Sequence, residues 1–147
     1  MQMSLIMHKS WAASLQQVLA GFGLIDVQRD LRHPRSIVTI DRSEIRGKVV
    51  LHVAGRMDAE SASHFEAQCD SCISEGITSL VIDLGDLSYV SSMGLRSFVA
   101  IAQKLKSKDG ELRICRLTGL ARQVFEITRL SQIFPMYDSV ESAVLGG

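Results

Sequence analysis

One run of sixteen residues constrains the fold more than any other: Val81-Ile82-Asp83-Leu84-Gly85-Asp86-Leu87-Ser88-Tyr89-Val90-Ser91-Ser92-Met93-Gly94-Leu95-Arg96. It passes from a short apolar, β-rich stretch through a polar loop into an amphipathic helix. Its apolar start belongs to the stretch from Thr78 to Leu84, which has the character of a central strand covered on both faces. In the helix from Ser92 to about Lys108, Leu95, Phe98, Val99, Ala102 and Leu105 recur with helical spacing and form a core stripe. A strand that hands directly to a helix is the building step of an α/β sheet, and the loop between them is where such sheets place their working groups.

The neighbouring segments repeat the step. Ser36 to Asp41 and Lys48 to Ala54 read as two strands in an antiparallel hairpin, with a loop near Arg42 to Gly47. Asp58 stands where a helix N-cap belongs, and Phe65, Cys69, Cys72 and Ile73 share one face of the helix it opens. Gly76 suits a left-handed stop. Lys104, Lys106 and Lys108 fall in the last turn of the next helix, where cations complement its dipole. After the Asp109-Gly110 turn, Glu111 to Arg116 alternates as a strand, and Leu120, Val124 and Ile127 line a further helix. Pro135 restricts Ile133 to Tyr137 to an edge strand, and Ser139 to Leu145 forms a final short helix. The order is ββαβαβα(β)α: an α/β fold with a mixed sheet of four to five strands, mostly parallel after its opening hairpin, packed with about four helices.

Residues 1–35 differ from the rest and read as an N-terminal extension to a domain spanning 36–147. Trp11, Leu15, Val18, Leu19 and Phe22 lie on one helical face, and Arg32-His33-Pro34-Arg35 reads as a linker. This face can pack on the domain or bind a partner, or the segment is an extension without function. Its short, weakly basic polar side argues against membrane insertion.

Composition removes several classes of function. With 16 basic and 16 acidic residues the formal charge is zero, and aromatics make up 5% of 147 residues, so neither the field nor the stacking platform for nucleic acid is present. Three cysteines, an odd number, suggest reduced thiols and a cytoplasmic setting. No apolar run approaches the roughly 18 residues that cross a bilayer.

The motifs that would carry catalysis are missing. A serine on a strand–turn–helix suggests a hydrolase nucleophile, but in that fold the histidine follows the serine. His8, His33, His52 and His64 all precede Ser92, and no G-x-S-x-G is present. Cys69-Asp70-Ser71-Cys72 lies late in its helix and in phase with Phe65, which suits core packing better than redox chemistry or a zinc site. Neither phosphate-loop glycine pattern occurs, and no cofactor is expected.

Ser92 is left with two readings. It is a helix N-cap, or it is a switch. A helix N-terminus carries unpaired N–H groups and partial positive charge, so a phosphate there is tolerated. Ser88, Ser91 and Ser92 crowd one loop, and Gly94, a poor helix former, makes sense if another surface must come close. Asp58 likewise either caps its helix or offers a carboxylate to a partner's arginine.

These residues resemble a known family. Leu51-His52-Val53-Ala54-Gly55-Arg56-Met57-Asp58 is similar to its strand ending in Gly-x-(Leu/Ile)-Asp, and Val81 to Arg96 to its strand, loop and (Asp/Ser)-Ser-x-Gly-Leu helix start. Leu117 to Leu130, Ile133-Phe134 and the final helix resemble its C-terminal pattern. The family is the STAS domain, and the likeness is greatest to the bacterial anti-sigma factor antagonists, over about residues 36–145. The resemblance implies a non-enzymatic binding module. Its unphosphorylated form would bind an anti-sigma factor that is also a serine kinase and so free the sigma factor. The kinase would phosphorylate Ser92, and a metal-dependent serine phosphatase would reverse this. Asp58, Ser88, Ser91, Ser92, Met93, Gly94 and Leu95 would form the partner surface. Some members carry aspartate directly before the acceptor where this chain has Ser91, and the two adjacent hydroxyls make Ser91 the alternative acceptor. A STAS scaffold or regulatory subunit of a signalling or membrane transport complex is the other role the resemblance allows, and a small-molecule-binding or catalytic α/β domain is the reading from a different class.

Overall fold

Two residues join the first two strands. In the computed structural model, which describes residues 38–146, β1 (Val38–Ile45) pairs antiparallel with β2 (Lys48–Met57), and Ile45 lies opposite Lys48. The turn between them holds Arg46 at φ 53° and Gly47 at φ 80°. Two consecutive left-handed residues make the turn whose twist matches that of the flanking strands. The loop expected from Arg42 to Gly47 is therefore wrong: Arg42 to Ile45 belong to the strand. Arginine at positive φ is uncommon, so only Gly47 announces this turn in the sequence. Ser36, Ile37 and the whole N-terminal extension lie outside the described residues, as does its boundary with the domain.

The remaining elements follow in the expected order. They are α1 (Ala59–Ser74), β3 (Ser79–Val90), α2 (Ser92–Lys106), β4 (Glu111–Cys115), α3 (Gly119–Ile127), a 3₁₀ turn (Leu130–Gln132), β5 (Met136–Tyr137) and α4 (Val140–Leu145). The sheet runs β1-β2-β3-β4-β5, and every pair after the first is parallel. Gly76, at φ 94°, follows the last turn of α1 as a left-handed stop.

The strands' alternation divides the core in two. On one face, Leu51, Val53, Leu80, Ile82, Leu84 and Ile114 meet α1, α2 and α3. Phe65, Phe98 and Phe125 pack across these three helices, the first pair tilted and the second edge to face, with ring centroids 4.8 Å and 5.5 Å apart. Cys69 and Cys72 are buried in this layer, and burial pushes both thiols up. They are core residues. On the other face, Val50, Val81 and Cys115 pack under Ala143 and Val144 of α4. That short helix leaves much of this face to polar side chains.

Three expected boundaries or faces are corrected. Strand β3 continues to Val90, through the segment expected as a polar loop, because Asp86 to Val90 keep pairing with Ala54 to Met57 across two register shifts. Gly85 sits in this stretch, where a Cβ would stand 2.6 Å from the Arg116 guanidinium lying across it. Helix α2 ends at Lys106, so Lys108 lies beyond its last turn. On α3 the buried residues are Ala121 and Phe125, with Val124 half-buried, whereas Leu120 and Ile127 are 51% and 63% exposed. Two apolar stripes overlap on this helix, and the one holding the phenylalanine turns inward.

Candidate functional site

Strands β2 and β3 finish side by side. Met57 is the register partner of Val90, and the Ser91 backbone N–H donates to the Met57 carbonyl at 2.8 Å. Each strand then passes into a helix through a single extended residue, Asp58 before α1 and Ser91 before α2. Asp58 Oδ1 accepts from the Ser61 N–H at 2.9 Å, and Ser91 Oγ accepts from the Gly94 N–H at 3.1 Å. Asp58 and Ser91 are both buried N-caps. Two helix N-termini thus open next to each other at the carboxyl edge of the parallel strands. They are held in register deeper down, where Ser97 Oγ of α2 donates to the Ala62 carbonyl of α1 at 3.3 Å.

This assigns the two serines different positions. Ser91, with no exposed surface, is the cap. Ser92 is the first residue of the helix, 8% exposed. Met93 follows, 43% exposed. Gly94 and Leu95 are buried, and the Leu95 side chain belongs to the core beneath. Ser88 is exposed on β3, where its Oγ donates to the Gly55 carbonyl of β2 at 3.0 Å. The edge thus gathers Asp58, Ser88, Ser91, Ser92, Met93 and Gly94, with Leu95 just below.

Gly94 has a structural use. A Cβ there would lie 2.7 Å from Val90 Cγ2 and 3.1 Å from Met57 Cγ and Sδ. The surface that must come close to this glycine is the chain's own pair of strand ends. Their approach seats the first turn of α2 directly on the sheet. No acidic residue occupies that first turn, whereas α1 carries Glu60 in its own. The positive end of the α2 dipole therefore has no acidic side chain from its own first turn.

Two further groupings were not apparent from the sequence. Arg56 lies over the Tyr89 ring, 4.2 Å from its centroid, and its buried Nε has no hydrogen-bond partner among the described residues. On the open sheet face, Ser43 Oγ is 3.1 Å from His52 Nε2, and His52 Nδ1 is 2.8 Å from Asp83 Oδ2. Arg116 Nη1 donates to the same oxygen at 3.0 Å, and the Gly85 N–H donates to Asp83 Oδ1 at 3.0 Å. Serine, histidine and aspartate stand here in the order of a hydrolytic triad. Acyl transfer also needs donors aimed at a developing oxyanion. What lies beside this array is the Arg116 guanidinium, already bound to Asp83. The array is a transverse tie across β1, β2, β3 and the residue after β4. Strand pairing across the sheet brings it together, and only the alternation of His52 and Asp83 out of phase with the core hints at it.

Among the described residues, no group of three or more His, Cys, Asp or Glu side chains could hold a metal ion, and no helix is long and apolar enough to cross a membrane. A groove of about 450 Å³ lies between the end of α2 and Pro135, lined by Ala102, Lys106 and Phe134, at the opposite end of α2 from Ser92.

Comparison with known proteins matches residues 39–143 to the STAS domain model. The chain is 36% identical over 106 residues to BtrV of Bordetella bronchiseptica, provisionally named an anti-sigma factor antagonist, which covers 72% of this chain and 90% of that protein. The crystal structure of an anti-sigma factor antagonist from Mycobacterium paratuberculosis superimposes with a TM-score of 0.67 at 26% identity, covering 74% of this chain and 92% of that one. SpoIIAA in its unphosphorylated and phosphorylated forms superimposes with TM-scores of 0.58 and 0.59, at 21% and 20% identity, over 74% of this chain and 94% and 96% of theirs. These last two establish the shared fold.

Proposed function

This chain belongs to the STAS domain family, and from that premise we propose that it is an anti-sigma factor antagonist controlled by phosphorylation of Ser92. The unmodified form binds an anti-sigma factor that is also an ATP-using serine kinase, and that binding releases the sigma factor. Phosphorylation of Ser92 ends the interaction, and a metal-dependent phosphatase restores it. The chemistry belongs to the partners. This domain supplies a shaped edge and a hydroxyl.

The observation that carries this reading is the position of Ser92 on a helix end without an acidic side chain, beside a second serine already committed as the cap. A phosphoserine adds about −1.5 to −2 charges at pH 7. On the first residue of α2 that charge meets the positive end of the helix, so the isolated fold tolerates it. At a docked interface the same group must lose water, and it repels any facing carboxylate. A penalty of about 3 kcal/mol weakens binding more than 100-fold, which is a switch without a conformational change. Phosphate on Ser91 would instead place a dianion at a fully buried oxygen and break the Gly94 cap. Asp58, at the start of the adjoining helix, is the acidic member of the docking edge, and the exposed Met93 is its apolar member.

The test uses the purified kinase of the same organism, ATP and mass spectrometry. Phosphate is expected on Ser92. Ser92→Ala should bind that kinase as the wild type does and escape phosphorylation. Ser92→Asp should melt at the wild-type temperature and bind at least 100-fold more weakly. Phosphate confined to Ser91, or wild-type binding by Ser92→Asp, overturns the assignment. Stable co-purification with transporter or scaffold subunits, without phosphate, would place the domain in the alternative STAS role.

A further inference from the structure

Two arginines among the described residues are not exposed, Arg56 and Arg113. Each lies over a tyrosine, Arg56 at 4.2 Å from the Tyr89 ring centroid and Arg113 at 5.8 Å from that of Tyr137. Their hydrogen bonds differ. Arg113 donates from Nε to Glu111 Oε2 at 2.9 Å and from Nη1 to the Ala143 carbonyl at 2.8 Å. Arg56 forms no ion pair among the described residues. Its Nε is closed off from water with no acceptor, whereas Nη1 and Nη2 are not closed off. A charged donor that loses its hydration without gaining a hydrogen bond is unfavourable. For stability alone an apolar side chain would serve better there.

The strands are shaped to make this arrangement. The register of β2 with β3 shifts between Gly55 and Arg56: Gly55 pairs with Leu87 and Arg56 with Tyr89, so Ser88 has no register partner. One extra residue in a strand is a bulge, which re-aims the side chains beside it. Here it brings Tyr89 rather than Ser88 opposite Arg56. Tyr89 is only 4% exposed, so its ring is a fixed platform that holds the guanidinium by cation–π attraction. The pair stands one register step short of Met57 and Val90 and two residues ahead of the caps Asp58 and Ser91. It therefore adjoins the edge assigned above to the kinase, where Asp58 is already committed to the Ser61 N–H.

Resting on that reading, we infer that Arg56 receives an aspartate or glutamate side chain of the docked kinase through Nη1 and Nη2, and so selects among partners. A guanidinium is planar and matches a carboxylate through two parallel N–H donors. Contact with Tyr89 fixes the stem before docking, so less freedom is lost when the pair forms. A partner with a basic side chain at that point would be repelled, which is discrimination by mismatch.

The test measures binding of the purified kinase of the same organism to the unphosphorylated full-length chain by calorimetry, beside the melting temperature. Arg56→Met keeps an unbranched stem for Tyr89 and removes the charge. It should melt at or above the wild-type temperature, because no acceptor within the fold is lost. It should bind the kinase about 30-fold or more weakly. Arg56→Lys, which keeps the charge without the fork, should fall between Arg56→Met and wild type. Arg56→Glu should bind about 100-fold or more weakly, and changing one carboxylate of the kinase to lysine should restore about ten-fold or more of that loss. Lys106→Met, at the far end of α2, should bind as the wild type does. Wild-type binding by Arg56→Met overturns the proposal. A lowered melting temperature, with a binding loss that no kinase reversal restores, assigns Arg56 to the fold and overturns it too. If Arg56→Met binds normally but destabilises only the Ser92-phosphorylated chain, Arg56 holds that phosphate in cis and the proposal falls. A wild type that does not bind the kinase at all removes the function proposed above and the partner of Arg56 with it, whereas equal binding by wild type and the Arg56 variants strikes this proposal alone.

Discussion

The carboxyl edge and the transverse tie each hold a serine and an aspartate, and they use them to opposite ends. At the edge, Asp58 and Ser91 spend their side chains on backbone N–H groups, and Ser92 is left on a helix end with no acidic residue in its first turn. In the tie, Asp83 accepts from His52, Arg116 and the Gly85 N–H, and Ser43 closes the row. One region has a helix start with no acidic residue in its first turn, which the proposed phosphate would fill. The other is already balanced, and gains nothing from a change. The pairing of residue types is the same in both; what differs is whether the surrounding dipoles are still unanswered.

That contrast predicts unequal costs. Asp83→Ala should be the most damaging substitution, because it strips the shared acceptor from three donors at once while Asp83 itself is only 4% exposed. His52 and Arg116 are partly in water and recover some hydration, so the loss should be about 2–3 kcal/mol. For a domain of this size that lowers the melting temperature by about 10 °C or more. A loss under about 0.5 kcal/mol in urea unfolding would mean the tie is an ornament of the surface. Gly94→Ala comes next. Better helix propensity favours it by about 1 kcal/mol, but its methyl must displace Val90 and Met57, and overpacking of this kind costs about 1–3 kcal/mol. A net destabilisation of about 1 kcal/mol is expected. A stabilised variant would show that the strand ends can yield.

The edge itself is broken more gently by its two serines. Ser91→Ala removes the α2 cap and should cost about 1 kcal/mol, whereas Ser92→Ala should cost less because it leaves that cap in place. Equal losses in thermal unfolding would contradict the division of labour between them.

The sequence made the edge legible and concealed the tie. Asp58 as a cap, Cys69 and Cys72 as core, Gly76 as a stop and the alternating order of elements follow from spacing along one chain, because caps and helix faces are local. The tie unites residues 43, 52, 83 and 116, whose meeting depends on the register of three strand pairs. The same limit hid the full length of β3: Asp86 and Ser88 are polar and read as loop, yet pairing with β2 keeps them extended. Choosing between neighbouring serines required the backbone, since Ser91 and Ser92 are equally good caps on paper and only one has extended dihedral angles. On α3 the sequence offered two apolar stripes, and the core chose the one with Phe125.

The smallest expected effect concerns a third pairing, which sharpens the comparison because it is neither buried nor at a helix start. Arg42 of β1 grips Glu75 at the end of α1 with both guanidinium nitrogens, at 2.8 Å and 3.0 Å. The hydrogen bond from Arg42 holds the Glu75 carboxyl below its usual range. A carboxyl whose folded pKa is depressed contributes stability above its unfolded pKa, and that contribution is lost as pH falls through the folded value. Both side chains are in water, so the contribution is slight. The expected outcome is that wild type and Glu75→Gln differ a little in melting temperature at pH 7, with the wild type higher. The two should converge as pH falls through the lowered range in which the folded Glu75 carboxyl takes up its proton. Raising the salt concentration at pH 7 should shrink the difference in the same direction. If the gap persists in acid, charge is not its source, and this pair would then behave like the tie and not like the edge.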